Sequence, residues 1–486
     1  MDSSNKKARP KAITPKGFRD NFHSYLKKRD EVLEVANRVY ELYGFERLET
    51  PAIETVDALG KFLPDVNRPN EGVFAWQDEN DSWLALRYDL TAPLARAFSQ
   101  HRNTLQTPYK RYSFGPVWRN EKPGPDRFKE FYQFDADIVG TSSFMADAEM
   151  CFIIFDVLKE LGFSANDYLT RISNRKILSG LIQAVKLGDS TGLGDSELVV
   201  FRAIDKLDRL GLGGVENLLG KGRTDSSGDF TQGANLSTGQ IDTIMSFLKI
   251  KNNDPYKTLE EMETLIRDSA IGQEGLIELR NIVDALLSKG RSNISFKIDP
   301  SVVRGLAYYT GPVFETELST STSSLGSISG GGRYDDLVSR FTGQKVPSTG
   351  VSIGIDRLVS FLYERDGGKK KGVVDVLVTV MDKNLMQHYI KIAADLRNNG
   401  INTDLYVGNP KDFGKQIKYA DSRGAGFAIV AGTNELEDDI VQIKDLELGR
   451  KLSAGISSNE EWKEQPAQFP VKREALIEKI LELLRR

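Results

Sequence analysis

The sequence predicts an α+β protein with a separate α/β domain at its C-terminal end. Three observations point there. Apolar, aromatic runs at Leu84–Arg87 and Pro108–Trp118 read as strands, and strand-like patterning returns from Ile294. Between residues 170 and 293 the pattern changes to amphipathic segments at helical spacing. Beyond residue 372, short continuous apolar runs alternate with amphipathic ones, the signature of strands alternating with helices around a mostly parallel sheet.

The elements follow in order. Residues up to about 14 read as a polar, flexible tail. From Lys27 to Tyr43, Leu33, Val35, Ala36, Val39 and Leu42 recur at helical spacing, and Gly44 stops the helix. Phe45–Ile53 reads as a strand. Its Pro51 cannot donate to a ladder, which suits an edge or an interface. Phe144–Leu161 reads as a helix. The middle segments Lys176–Leu187, Ser196–Leu210, Gln240–Leu248, Thr258–Arg267 and Leu276–Leu287 form a helical insertion, with Gly211–Gly239 as a polar, Gly-rich loop. Gly367-Gly-Lys-Lys-Lys-Gly372 is a charged linker without apolar anchors. After it come a strand (Val373–Val380), a helix (Met386–Arg397), a strand (Thr403–Val407), a helix (Phe413–Arg423) and a strand (Gly426–Val430). Residues 474–486 close the chain as an amphipathic helix with its terminal arginines at the negative end of the dipole.

The domains are therefore expected at 15–169 with 294–366, at 170–293 as the insertion, and at 373–486, after a tail of 1–14 and a linker of 367–372. With 486 residues, two or three domains can each bury a core. A net charge of −4 argues against wholesale coating of nucleic acid and leaves room for a local basic groove. The single cysteine, Cys151, sits in an apolar run and reads as a buried free thiol. One cysteine and three scattered histidines, His23, His101 and His388, argue against a disulfide framework, a structural metal site and histidine-based catalysis. There is no apolar leader and no run long enough to span a bilayer, so the expected location is the cytoplasm, with no membrane partner.

The richest stretch is Arg119–Gly140. An Arg-x-Glu ends one apolar strand, a Gly- and Pro-rich loop (Lys122-Pro-Gly-Pro-Asp126) follows, and a second strand carries Arg127, Phe131, Gln133 and Asp137. Two strands joined by a basic loop can present arginine forks to a polyphosphate and an aromatic ring to a base. Arg119-x-Glu121 alone would more readily be a surface ion pair. Val303-Arg-Gly-Leu-Ala-Tyr-Tyr309 offers a second arginine, Arg304, a glycine that permits close backbone approach, and two tyrosines that can wall a small polar pocket. Thr349-Gly-Val-Ser-Ile-Gly-Ile-Asp-Arg-Leu358 runs a glycine-punctuated strand into a helix and places Arg357 near the helix start. In Leu86-Arg-Tyr-Asp-Leu-Thr-Ala-Pro93, Asp89 and Thr91 supply a carboxylate and a hydroxyl for an ammonium group, two residues apart on one side of a strand.

These segments resemble class II aminoacyl-tRNA synthetases, and the histidyl-tRNA synthetase family in particular. Arg119 to Asp137 is similar to motif 2, Thr349–Leu358 to motif 3, and Tyr43-Gly-Phe-Glu-Arg-Leu-Glu-Thr-Pro51 to motif 1. The Arg304 segment resembles the family's second histidine-binding signature. Pro15-Lys-Gly-Phe-Arg-Asp20 and Gly330-Gly-Gly-Arg-Tyr-Asp335 are further matches, and Lys415–Ala425 with Ile443–Leu446 resemble its anticodon-binding domain. The resemblance implies an antiparallel-sheet catalytic domain. It implies ATP-dependent activation of L-histidine and transfer to tRNA(His), with Mg2+ accompanying ATP, no resident structural metal, and a homodimer built through motif 1. It assigns Arg119 and Arg304 to catalysis, Arg119, Glu121, Arg127, Phe131 and Arg357 to ATP, and Asp89, Thr91, Gln133, Asp137, Arg304, Tyr308, Tyr309 and Tyr334 to histidine. Asp137 and Tyr309 would hold the imidazole, and Phe131 would face Arg357 across adenine.

The chain departs from the pattern at Ala307, where the family usually has Asp or Glu, at Tyr132, where many members have His, and in its proline-stiffened motif 2 loop. This suits a divergent bacterial branch. A non-catalytic paralogue, such as an ATP phosphoribosyltransferase regulatory subunit, is the alternative. Such relatives typically lose catalytic arginines or the C-terminal domain, and this chain keeps both.

Overall fold

A computed structural model describes the chain except residues 1–9, 61–71, 125–126, 187–194, 225–227, 292–293, 304, 306–307, 320–325, 367–371, 410–411, 454–466 and 486. It divides into two units. The first comprises residues up to 362, apart from 22–27, and the second comprises 363–486 with 22–27. Arg304, Ala307, Asp126 and most of the expected tail and linker lie outside the described residues.

The first unit is organised on strands β1 (Glu46–Arg47), β2 (Ile53–Thr55), β3 (Ala75–Gln77), β4 (Trp83–Leu86), β5 (Tyr109–Trp118), β6 (Glu130–Val139), β7 (Tyr168–Asn174), β8 (Gly222–Thr224), β9 (Phe230–Gln232), β10 (Phe296–Ile298), β11 (Pro312–Leu318), β12 (Ser327–Arg333) and β13 (Ser348–Gly354). Eight of these form one sheet in the order β1-β5-β6-β13-β12-β11-β7-β10. The pairings from β5 to β7 are all antiparallel, and only the two edges, β1 on β5 and β10 on β7, are parallel. The strand expected over Phe45–Ile53 divides: Glu46–Arg47 pairs with β5 as β1, and Ile53 opens β2, which pairs with β4.

The helices of this unit are α1 (His23–Leu42), α2 (Val56–Leu59), α3 (Thr91–His101), α4 (Phe144–Glu160), α5 (Arg175–Ala184), α6 (Asp195–Ile204), α7 (Leu207–Leu219), α8 (Thr238–Leu248), α9 (Pro255–Ile266), α10 (Ala270–Ser288), α11 (Ser339–Thr342) and α12 (Ile355–Arg365), the first and last reaching into the other unit's residues. Alternation along β6 decides which face of the sheet does what. Phe134 points to the back, where Tyr40 of α1 stacks on it at 4.7 Å and Tyr112 meets it edge-on. Gln133, Asp135 and Asp137 point the other way.

Two expectations for residues 170–293 change. Tyr168–Asn174 is a strand of the large sheet, bonded to β11 and β10, so the helical region begins at Arg175. Its Tyr-Leu-Thr-Arg-Ile-Ser-Asn run does not alternate and is buried at nearly every position, so periodicity alone does not mark it as a strand. Nor is Gly211–Gly239 a loop throughout. Helix α7 runs to Leu219 with non-helical backbone only at Gly211, and β8 and β9 pair as a hairpin. Val215, Leu218 and Leu219 are buried and hold that helix in place. Helices α5, α9 and α10 pack together, with α10 also against α4.

The second unit carries β14 (Val376–Val378), β15 (Thr403–Leu405), β16 (Phe427–Val430), β17 (Ile440–Asp445) and β18 (Gln468–Lys472), with α13 (Met386–Asn398), α14 (Phe413–Arg423), α15 (Thr433–Glu437), α16 (Leu446–Ser453) and α17 (Leu476–Leu484). The sheet order is β15-β14-β16-β17-β18. The first three strands are parallel, as expected. The last two pair antiparallel, which makes the sheet mixed rather than mostly parallel. Val376, Val378, Ile392, Leu396, Ile429, Ile443 and Ile480 meet in its core.

Candidate functional site

The site lies on the front face of the large sheet. Antiparallel register sets Asp135 of β6 opposite Ser113 of β5 and Ser352 of β13, and Ser352 opposite Gly330 of β12. One step along, Gln133 lies between Gly115 and Gly354. Directly paired residues project to the same side, so this is a floor of small side chains with a carboxylate and an amide standing in it. Larger residues there would fill the space. The close packing has little slack: a methyl group at Gly350 would meet Asp137 Oδ1 at 2.0 Å.

Above the floor is a cleft of about 750 Å3. Arg119, Glu121, Arg127, Phe131 and Arg357 line it, as do Asp89, Thr91, Gln133, Tyr308 and Tyr309. Ten of the residues singled out in the sequence therefore face one cavity. Asp137 and Tyr334 do not line it. They border an adjoining recess of about 30 Å3, which Thr91, Asp135, Tyr308 and Tyr309 also touch. Arg304 lies outside the described residues, but its neighbour Gly305 lines the cleft with a φ of +63°, a backbone conformation that a residue with a Cβ rarely adopts. A side chain there would meet the Tyr309 ring at 2.3 Å.

At one end, Arg119 lies over the rings of Tyr88 (4.3 Å) and Phe131 (5.1 Å). Phe131 and Arg357, expected to face each other across adenine, both line the cleft. Arg357 donates from Nη1 to the Ser327 carbonyl at 2.7 Å. Glu121 accepts from Tyr88 Oη at 3.0 Å and pairs with Arg127, which ties the loop arginine back to the strand. Asp356 pairs with Arg19 of the opening segment, and its other oxygen accepts from the Tyr132 backbone N–H at 2.5 Å. The opening segment, motif 2 and motif 3 are thus joined at one carboxylate.

At the other end, Asp89 and Thr91 are not on a strand. Strand β4 stops at Leu86 and α3 starts at Thr91. Asp89 Oδ1 accepts from the backbone N–H of Thr91 (3.1 Å) and Ala92 (2.9 Å), so the carboxylate caps the helix and Pro93 sits in its first turn. Asp89 and Thr91 are brought together by this helix start rather than by strand alternation. Tyr308 stacks on Tyr334 at 5.1 Å, and burial raises both phenols well above their ordinary range.

Four residues of the site were not singled out by sequence reading. Tyr88 and Asp356 line the cleft beside residues that were. Asp135 has the same period-two register as Gln133 and Asp137, and it lines the cleft. Burial pushes its carboxyl up to about 7, with Arg111 opposing and Asp137 adding to the shift. Arg111 is wholly buried, with Nη2 2.9 Å from Asp137 Oδ2 and also donating to the Leu90 carbonyl at 2.9 Å. It stands on β5 directly opposite Asp137, a pairing that no local pattern in the sequence marks. Among the described residues, no cluster of His, Cys, Asp and Glu side chains is arranged to hold a metal ion.

An antiparallel sheet with arginines at one end of the cleft and a small polar pocket at the other is the catalytic architecture of class II aminoacyl-tRNA synthetases. A sequence model described as Histidyl-tRNA synthetase matches residues 17–358, and one described as Anticodon binding domain matches residues 375–483. The chain is 51% identical to a histidine–tRNA ligase of Dinoroseobacter shibae over all of both chains. It is 47% identical to one of Rhizobium meliloti, covering 100% of this chain and 98% of that one. A histidyl-tRNA synthetase structure from Nostoc sp. PCC 7120 is similar with a TM-score of 0.76 at 29% identity, covering 98% of this chain and 100% of that one. The chain belongs to the histidyl-tRNA synthetase family.

Proposed function

We propose that the chain is a histidine–tRNA ligase that activates L-histidine with ATP and transfers it to the terminal ribose of tRNA(His). The observation that carries this reading is the single cleft that gathers Arg119, Arg127, Arg357 and Phe131 at one end and Asp89, Thr91, Gln133, Tyr308 and Tyr309 at the other. Full-length relatives that bear the ligase name support it.

In the first step a carboxylate oxygen of histidine attacks the α-phosphorus of ATP and pyrophosphate leaves. Charge builds on the phosphoryl oxygens, and fixed guanidinium forks stabilise it without reorganising. Arg119 and Arg304 take that role on opposite sides of the phosphate. Arg357 and Arg127, the latter held by Glu121, take the outer phosphates, and Phe131 offers its face to adenine. Mg2+ arrives as part of the ATP substrate and neutralises phosphate charge. Asp89, Thr91 and Gln133 receive the α-ammonium. Gln133 Oε1 is a buried acceptor with no hydrogen-bond partner among the described residues, and it lines the cleft. In the second step a ribose hydroxyl of the tRNA attacks the carbonyl carbon and AMP leaves.

Motif 1 lies at an edge of the large sheet, since β1 is its end strand. We assign the homodimer interface to that edge. Residues from Val373 onward act as the anticodon-binding domain, and the helices from α5 to α10 as an insertion that grips the acceptor arm. A tRNA footprint leaving those helices unprotected would count against the grip. No helix among the described residues is long and apolar enough to cross a membrane. The reaction draws on cytoplasmic ATP and tRNA, so we place the protein in the cytoplasm.

The test is ATP–pyrophosphate exchange with each of the twenty amino acids in turn, followed by charging of tRNA(His). Exchange with histidine alone is expected. A folded protein that binds histidine but exchanges with none would be the regulatory paralogue. The retained arginines and the second unit weigh against that outcome.

A further inference from the structure

We propose that Arg19 and Asp356 are positioning residues for the ATP step, and that residues 17–19 form a strap that holds Arg127 and Arg357 at a fixed spacing. Both act through their neighbours rather than on the nucleotide. The inference rests on the ATP reading above and deepens it.

Strand β13 ends at Gly354, whose ladder partner is Gln133 of β6. The chain then turns into α12, so its backbone leaves β6. One residue further along β6, the Tyr132 N–H would lack a ladder partner on this side. The Asp356 carboxylate, in the first turn of α12, accepts it at 2.5 Å. A side-chain oxygen thus continues a ladder that the main chain has left. Tyr132 stands between Phe131 and Gln133, which both line the cleft, and Arg357 directly follows Asp356. One carboxylate therefore fixes the start of α12, with its arginine, against the strand that carries the aromatic ring.

The other oxygen of Asp356 pairs with Arg19. That guanidinium also lies over the Phe128 ring at 4.2 Å, and the Lys129 N–H donates to the Gly17 carbonyl at 2.8 Å. Phe128 and Lys129 directly follow Arg127 and lead into β6. Between the two polar ends of the strap, the Phe18 ring meets Phe74 at 6.0 Å and anchors it. Three consecutive residues therefore hold the neighbour of Arg357 and the neighbours of Arg127, which no local pairing would otherwise bring into register. A guanidinium fork engages phosphate oxygens only at a defined geometry, and a misplacement of about 1 Å can cost on the order of a hundredfold in rate. Arg19 is 27% exposed and Asp356 16%, so removing one partner leaves the other within reach of water. The effect of the strap then falls on geometry more than on stability.

The test uses the full chain, with histidine-dependent ATP–pyrophosphate exchange as one readout and transfer to tRNA(His) from preformed histidyl-adenylate as the other. Wild-type exchange is measured first. Its absence would overturn the functional reading and the inference with it. Given exchange, Arg19→Ala removes the cation, and Asp356→Asn removes the charge while keeping an acceptor for the Tyr132 N–H. Each is expected to raise the KM for ATP by about tenfold. The KM for histidine and the rate of transfer from the adenylate are expected to stay within about twofold, with little change in Tm. Since the two act through one contact, the double variant is expected to be no worse than the more affected single one. The inference is overturned if either single variant keeps the KM for ATP within about twofold, or if the two effects multiply in the double variant. It is also overturned if the KM values for ATP and histidine rise together while Tm falls, which would reduce the strap to a part of the fold's stability.

Discussion

Arg111 and Asp137 face each other across β5 and β6 at 2.9 Å, and neither reaches solvent. The surroundings act on the two in opposite senses. Burial works against the guanidinium's charge, but Asp137 and Asp135 outweigh it and raise the Arg111 pKa. Burial also raises Asp137, although Arg111 and the Tyr334 hydroxyl pull it down. Such a pair is weak evidence for net stability, yet removing one partner strands the other charge in the core. Arg111→Met is therefore expected to cost about 3–5 kcal/mol, read as a lower urea midpoint at unchanged m-value. Adding Asp137→Asn to that variant is expected to restore part of the loss. A double variant no more stable than the single one would mean that the two do not act as a pair.

The arginines of the cleft are expected to matter in the transition state rather than in binding. Arg119→Ala and Arg304→Ala should each slow pyrophosphate exchange by about a hundredfold or more, with a smaller change in KM for histidine. Arg119→Lys should recover little of it, because a point charge cannot reproduce the bidentate fork or the stack on Tyr88. Full activity in either alanine variant would remove that arginine from the mechanism.

Phe131 separates nucleotide binding from amino-acid binding. Its ring lies 5.1 Å from the Arg119 guanidinium in a cleft that also holds Arg357. Phe131→Ala is expected to raise the KM for ATP by about tenfold, the scale of a desolvated cation–π contact. Equal rises in the KM for ATP and for histidine would point to a collapsed cleft instead.

Two buried carboxyls give the stability a definite pH dependence. Burial pushes Asp135 up to about 7 and Asp147 up to about 6, the latter despite its pairing with Arg333. In the unfolded chain both titrate near the ordinary value of about 4. Between there and the folded values the native state holds more protons than the unfolded one. These groups therefore add stability as pH falls from about 7 towards 4 and withdraw it as pH rises. Asp135→Asn is expected to flatten the slope of Tm against pH between about 5 and 8 and to raise Tm at the alkaline end. An unchanged slope would show that Asp135 titrates normally.

The sequence makes the strand-rich unit and most of the cleft legible because their residues repeat local rules. Gln133 and Asp137 share a strand face by period two, Arg119 ends its strand, and α14 (Phe413–Arg423) runs just as its periodicity predicts. What was missed is what only pairing between distant segments decides. Strand β7 belongs to the sheet because β11, some 140 residues later, bonds to it. Asp89 lies where a strand pattern reads on, but its side chain caps α3. Arg111 and Tyr334 come from two other strand regions and meet at the Asp137 carboxylate, a convergence that no local pattern records.

Cys151 is the single cysteine of the chain, and it is fully enclosed in α4 with its thiol pushed far above the ordinary range by burial. Thiolate is the reactive form, so this sulfur is close to inert towards alkylating reagents. The native protein is thus a ready background for site-directed labelling: a cysteine introduced on the surface would be the one thiol to react. A fluorophore placed in that way on the exposed Val407 of the second unit, with another on the exposed Phe230 of the β8–β9 hairpin, would follow both regions during a catalytic cycle with no native cysteine to replace.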